Sequence, residues 1–476
     1  MQSIFKTHRY FPASLLWPST LHMLVHLCKT ANARQSVAVI GAGISGLAAA
    51  RQLSQLRPDW RVTLFEQSAH FGGHANTVDV TIDGITHGVD TGFLVYNQRT
   101  YPALTQLFAE LGVTSTLAEM SFSVQLPKQG LEWSGTNLNS VFAQRGNLLR
   151  PRFWRMLWDI VRFNRLATDL AQRSVDVAMA QSVRAFLDQH RFSKAFVEGY
   201  LLPMIACIWS CGREQMLAFP MATLIRFCHN HGLLQVTQRP QWLSVQGGSK
   251  QYVSRMVLGL LDARRNTPVL AVRRADAAQG RGVWVSTAHT REHFNKLIFA
   301  CHSDQALQLL GDGASAQERR VLGAVRYQPN CAVLHTDVTL LPKRQAAWAA
   351  WNCEWTPNLT DDTGVCLHYL INRLQVLPWQ QPVIVSLNPV RQPKANTVLS
   401  SFNYSHPVFD AASLAAQRQL ALVQGQHDTW YCGAWTGYGF HEDGLRSGLK
   451  AAQSVLAATH DEVADVVQND RWAGAA

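Results

Sequence analysis

Residues 36–67 read SVAVIGAGISGLAAARQLSQLRPDWRVTLFEQ. Ser36 to Ile40 is a short β-branched run, and GAGISG follows it without a gap. Residues 47–56 carry the alanine-rich pattern of a helix, which Pro58 stops, and 61–66 read as a second strand ending in an acid. Strand, glycine turn, helix and strand with a terminal carboxylate form the βαβ unit that binds dinucleotides. Gly41 permits the tight turn, and Gly43 lets the backbone approach a pyrophosphate. Gly46 lets helix and strand pack closely. Ala42 and Ser45 complete a helix entrance whose unpaired N–H groups and positive dipole end suit phosphate. Glu66, with Gln67 beside it, stands 25 residues after Gly41, where it can accept from a ribose hydroxyl. Its charge would repel a 2′-phosphate, so NADP is disfavoured.

A second glycine pair follows at Phe71-Gly72-Gly73-His74. Unless this is an ordinary turn, it lets the chain pass close to a ligand longer than NAD, and FAD is the cofactor expected. The 476 residues are 47% hydrophobic and 16% charged, the balance of a core-forming globular chain. Their net charge of +11 suits an anionic partner. No nucleic-acid recognition module accompanies that charge, so nucleic acid is not expected. Nine irregularly spaced cysteines, with no CxxC pair, suit a reducing compartment and suggest no metal site. Cys207 and Cys211 would share one helix face as small buried residues. Residues 14–28 are only moderately apolar, a weak signal-peptide pattern, and no run reaches the length of a membrane span.

With these motifs in place, the chain resembles the flavin-containing amine oxidase and phytoene desaturase superfamily over about 36–460. More narrowly it resembles a bacterial group of NAD/FAD-binding proteins associated with cyclopropane-fatty-acid synthases. That closer match rests on 72–77 (GGHANT), 89–97 (VDTGFLVYN), 230–234 (NHGLL), 334–337 (LHTD), 348–352 (WAAWN) and 439–444 (GFHEDG). The resemblance implies an α/β fold in which a Rossmann-like FAD-binding domain interleaves with a partly helical α+β substrate domain. It places Gly433 near the diphosphate, the Val269 backbone near adenine, and Asp443, Gly444 and Leu445 by the ribityl chain and ring edge, with a final helix from Ser447 onward. Val269 reads equally well as a core valine. His74 stands where the wider superfamily often has arginine. No lysine matches the one that amine oxidases place near the flavin N5.

The expected division is an extension at 1–34, FAD-binding segments at 35–129, 241–305 and 426–460, substrate segments at 130–240 and 306–425, and a loose tail at 461–476. Within the FAD-binding segments, 246–252 should begin a helix, 266–270 and 297–300 should be strands, and 430–433 a strand and turn. Residues 145–165 hold six arginines and one acid, with Trp154, Leu157, Trp158 and Val161 at helical spacing. This is either an interfacial helix meeting anionic lipid or a core helix with a solvated basic face. Apolar residues 201–209 either line a dry substrate cavity or fill the core, and Trp348, Trp351, Tyr369 and Tyr404 are candidate walls. His74, Tyr96 and His335 are candidates to face the flavin ring or the substrate, and His231 is a further proton acceptor; a structural role is open for each. The expected activity is removal of hydride from a lipophilic, fatty-acyl or related substrate at a membrane surface, in a cytoplasmic protein lying peripherally on the inner membrane face. The alternatives are a soluble flavin amine oxidase and a non-catalytic flavin-binding partner of a lipid-modifying enzyme.

Overall fold

The computed structural model describes residues 35–172, 181–209, 212–235, 239–275, 281–355 and 366–473, with side chains to 459. Residues 14–28 and Cys211, singled out above, lie outside these. Five parallel strands form the sheet that carries the glycine turn. Their spatial order is Thr429–Tyr431, Lys296–Phe299, Ser36–Ile40, Arg61–Phe65 and Asp262–Arg264. Ser36–Ile40 lies between Lys296–Phe299 and Arg61–Phe65, and its last four residues are buried. That is why it is a continuous apolar run.

The helix Ile44–Leu56 follows at once, capped by Gly43 in extended conformation. Ala48, Ala49 and Ala50 are buried, which lets a second helix lie against it. That second helix is His441–Ala473. A β-carbon on Gly448 would sit 2.1 Å from the Ser45 carbonyl oxygen, and one on Gly444 2.8 Å from the Ile44 side chain. The two glycines, four apart, are the contact at which the helices nearly touch.

A separate seven-stranded sheet runs in the order Val398–Pro407, Tyr327–His335, Ile384–Leu387, Cys366–Leu370, Trp351–Glu354, Phe122–Leu126 and Leu131–Ser134. All its pairings are antiparallel except that between Trp351–Glu354 and Phe122–Leu126. The boundary expected at 129/130 falls inside the hairpin formed by the last two strands. Helices including Pro151–Gln172, Leu202–Trp209 and Met221–Asn230 follow it.

The structure corrects three local expectations. The strand expected at 266–270 runs instead from Val269 to Arg274, in a three-stranded antiparallel sheet. Asn266 and Thr267 turn the chain out of the parallel sheet by bonding back to the Ser68 and Glu66 carbonyls. The parallel edge strand is Asp262–Arg264, too short to show a pattern in sequence. The last helix begins at His441, not at Ser447. Residues 461–473 continue that helix rather than forming a loose tail.

Candidate functional site

A cavity of about 1390 Å³ opens where the parallel strands end, and it extends to the seven-stranded sheet. A site for one small ligand typically measures about 300–1,000 Å³, so this one accommodates a dinucleotide and a second molecule. Strand carboxyl ends are where open α/β sheets bind ligands. Gly41, Ala42, Gly43, Ser45, Glu66 and Gln67 line the cavity at the first helix entrance. Gly72, Gly73, His74, Val269 and Gly433 line it from the surrounding loops.

Nothing lies within 4 Å of a β-carbon built on Gly43. The helix behind it has no side-chain cap and no acid in its first turn, which leaves its positive end available to an anion. The Glu66 carboxylate is oriented by the Ala42 N–H (2.9 Å) and the Ser68 N–H (2.8 Å). Gly41 has φ +102° and abuts the Ala300 backbone, a position only glycine fills without strain.

Six of the candidate residues do not line the cavity, and one of them, Gly444, is the helix contact described above. Gly46 faces the Gly41 carbonyl, 1.9 Å from where its β-carbon would lie, and acts by letting helix meet strand. Asp443 accepts from the Tyr438 and Phe440 N–H groups at 3.0 Å each, so it holds the glycine-rich turn in shape. Its neighbour Glu442 accepts from the Ala103 and Leu104 N–H groups and caps the helix Pro102–Leu111. Leu445 is buried in the core. The Tyr96 hydroxyl pairs with the Ser115 hydroxyl at 2.7 Å, and Tyr96 N–H donates to the Leu243 carbonyl. That pairing pins Tyr96 against Phe108, away from the cavity.

His335 is fully buried inside the seven-stranded sheet. Its Nδ1 accepts from the Asp337 N–H, so its Nε2 carries the proton and donates to Ser386 Oγ at 2.6 Å. Ser386 Oγ also lies 2.7 Å from His368 Nδ1. Beyond His368 stand Cys366 and Glu354, the three donor atoms lying within 4.8 Å of one another. Arg391 pairs with Glu354 at 3.2 Å, so these groups are satisfied within the protein. This polar chain explains His335 without reference to the cavity.

His74 is the candidate that both lines the cavity and keeps an unpaired atom. Its ring stacks on Tyr404 at 4.8 Å and meets His406 at 5.2 Å. Its Nε2 is buried with no hydrogen-bond partner among the described residues. The indole nitrogens of Trp209, Trp351 and Trp435, all in lining residues, are likewise buried and unpartnered. Buried polar atoms are rarely left unpaired. These four, with the open space at Gly43 and the uncapped helix entrance, fit a bound FAD and a second ligand.

The sequence reading missed His302, Phe402, His406, Trp435 and His441, which also line the cavity. His302 had a signal: it follows the strand Lys296–Phe299 at its carboxyl end. His441 did not. It is placed by stacking on Phe93 at 3.8 Å and by its Nε2 contact with the Tyr252 hydroxyl at 2.6 Å.

Of the apolar run 201–209, Met204, Cys207, Ile208 and Trp209 line the cavity. Pro203 cannot donate to the Gly199 carbonyl, and a wide turn, Val197–Leu201, precedes it. Trp133 Nε1 donates to that carbonyl at 3.2 Å, which sets the indole as cavity wall. Trp351, Tyr369 and Tyr404 are walls, whereas Trp348 packs on Leu341, Leu370 and Ile384 instead.

Burial disfavours charged imidazole throughout this region. It holds His231, His335 and His406 at about 4 and His441 at about 3, and it keeps His74 well below the ordinary value. An unfolded histidine titrates near 6.5. The unfolded chain therefore takes up protons first, and stability present above about pH 6.5 is lost as pH falls toward about 4. Each of the three groups near 4 contributes up to ~3 kcal/mol of that loss. We expect the denaturant midpoint to drop steeply between pH 7 and pH 5; a midpoint that stays level over that interval contradicts it.

The family model for flavin-containing amine oxidoreductases matches residues 44–377, and the chain belongs to this family. It is an FAD-dependent oxidoreductase of the amine oxidase superfamily. Among solved structures it is similar to cyclohexylamine oxidase from Brevibacterium oxydans, with a TM-score of 0.63 and 14% identity, covering 90% of this chain and 99% of that one. It is similar to putrescine oxidase bound to putrescine, with a TM-score of 0.62 and 16% identity, over 89% and 99% of the two chains. It is also similar to the CLA-producing fatty acid isomerase from P. acnes, with a TM-score of 0.62 and 13% identity, over 88% and 98%. A search of curated proteins found no match.

Proposed function

We propose that this oxidoreductase acts on an apolar chain, a fatty-acyl or related lipid group. The observation that carries the reading is the wall of the cavity beyond the glycine turns. It is built of Trp133, Tyr200, Met204, Ile208, Trp351 and Phe402. The described lining residues include no lysine and no aspartate. Glu119 is an acid there, and it is already engaged by Arg373 and the Ser121 hydroxyl at 2.6 Å each. A protonated amine would find little counter-charge in such a wall, whereas a hydrocarbon chain is desolvated by it. One structural relative, the P. acnes isomerase, is named for its action on a fatty acid. The resemblance to proteins associated with cyclopropane-fatty-acid synthases points the same way.

In this reading Gly41 to Ser45 and Gly433 hold the FAD phosphates, Glu66 and Gln67 its ribose end, and Val269 its adenine. FAD, when bound, supplies the hydride acceptor. The chain's part is to position the substrate and exclude water. His74 and His231, kept neutral by burial, can accept a hydrogen bond from a bound molecule in that dry space. Arg239 lines the cavity where it is exposed; its Nε donates to the Gln235 carbonyl at 2.7 Å, and it has no ion-pair partner among the described residues. It is suited to the carboxylate or phosphate of an acyl lipid.

Anaerobic mixing with detergent-dispersed lipids should bleach the flavin absorbance. Replacing Arg239 with Gln should raise KM for an acidic lipid about tenfold while leaving kcat within about twofold. Peroxide release from polyamines or aromatic amines, with no bleaching by any lipid, would replace this reading with the amine oxidase.

A further inference from the structure

The helix Pro151–Gln172 turns two opposed faces outward and inward. Phe153, Met156, Phe163 and Ala167 are buried. Trp154, Trp158 and Val161, at i, i+4 and i+7, are 49%, 53% and 45% exposed. Two further apolar side chains, Leu149 (88%) and Leu138 (77%), stand out from the segments just before. These residues form one surface: Trp154 donates to the Leu148 carbonyl at 2.9 Å, and its ring meets Phe142 at 5.4 Å.

The charge on this surface is predominantly positive, with the exposed acid Asp169 at its far end beside Arg165. Arg145, Arg150, Arg152 and Arg165 are exposed around it. Between positions 137 and 165 the one acid is Asp159, which is fully buried and occupied by Arg155 and Arg162 at 3.2 Å each and by the Ser193 N–H at 3.1 Å. The guanidinium groups of Arg155 and Arg162 lie 4.8 and 4.9 Å from the Trp158 ring, so indole and cation share one layer. The patch also borders the cavity. Trp133, a cavity wall, packs edge-on against Phe153, and the exposed lining residues Gly135 and Thr136 lead straight into Asn137, the cap of the helix Leu138–Val141.

We propose that this face docks on an anionic phospholipid surface, with the tryptophans at the headgroup boundary and the arginines on phosphate. Indoles prefer that boundary, and clustered arginines that outnumber the exposed acid Asp169 complement a negatively charged leaflet. No helix of the described residues is long and apolar enough to cross a membrane, and this mode of binding requires none. The inference rests on the lipid-substrate reading for its purpose, since the docked face would put the cavity mouth at the bilayer, but it is tested separately.

The experiment is flotation of the purified full chain with vesicles of phosphatidylcholine alone or with about a third phosphatidylglycerol. We expect capture by the anionic vesicles only, lost at high salt. The Arg152→Glu, Arg165→Glu double variant should partition at least about 30-fold less, with its flavin spectrum and thermal midpoint unchanged. It should keep bleaching by detergent-dispersed lipid. Brominated lipid should quench the wild-type indole emission, and Trp158→Phe should remove part of that quenching, which covers the case of a charge variant that fails to fold. No capture of the wild type, equal capture by neutral vesicles, or capture unaffected by charge reversal overturns the proposal. A change in oligomeric state on the same substitution also overturns it, assigning the face to a second copy of the chain. Capture without bleaching by any lipid leaves this docking in place and removes the substrate reading instead.

Discussion

Replacing Gly448 with valine should eliminate soluble, flavin-loaded protein. Its β-carbon would stand 2.1 Å from the Ser45 carbonyl oxygen and 2.8 Å from the Ser45 carbonyl carbon. Those are backbone atoms of the first turn of Ile44–Leu56, so no rotamer change relieves the overlap. The helices must separate, which uncovers the buried alanines between them and moves the glycine entrance itself. Overpacking a core commonly costs about 1–3 kcal/mol, and a clash fixed in two backbones belongs at or above the top of that range. Soluble yield and the thermal midpoint report the loss. Gly84, which has open space around its β-carbon, is the contrasting site. Ala at Gly448 should be damaging by the same contact, whereas Ala at Gly84 should lower stability only through its φ of +78°. A Gly448→Val protein that purifies yellow with an unchanged midpoint contradicts the packing described here.

Gly43→Asp should have the opposite profile. Gly43 has φ −68° and ψ 179°, which any residue adopts, and its β-carbon meets no atom within 4 Å. The apo fold should therefore be unaffected. The new carboxylate, however, would occupy the helix entrance intended for phosphate and repel it. We expect FAD affinity to fall by a factor of 100 or more, about 3 kcal/mol, with the apo thermal midpoint unchanged. Titration of apo protein with FAD, followed by flavin fluorescence, measures it. Wild-type affinity in the variant would mean that the pyrophosphate lies elsewhere. Gly43 and Gly448, distant in sequence but both at the entrance of Ile44–Leu56, thus separate a ligand requirement from a packing requirement.

Much of the nucleotide end was legible because its physics is local. A strand, a glycine turn and a helix entrance are written in consecutive residues, and the strand Ser36–Ile40 lies where the motif put it. Glu66 could be read from its place at the end of the second strand. The last helix was also visible as a pattern, but its start was not. The resemblance placed Asp443 by the ribityl chain, and its neighbour Glu442 carried no assigned role. Their oxygens go instead to N–H groups of residues 103, 104, 438 and 440, and only the fold brings the first two within reach.

The substrate half was less legible for the same reason. Tyr96 and His335 carry groups suited to chemistry, yet their partners, Ser115 and Ser386, come from other strands or loops and turn them away from the cavity. His302, His406 and His441 enter it from three distant segments. Taken alone, the sequence determined the cofactor-binding strand–turn–helix, since consecutive residues dictate where backbone N–H groups and a helix dipole are exposed. Tertiary structure alone decided which histidines stay unpaired, which aromatics wall the cavity and which arginines stay free at the surface. Those properties depend on burial and on partners hundreds of residues away, and no local pattern encodes them.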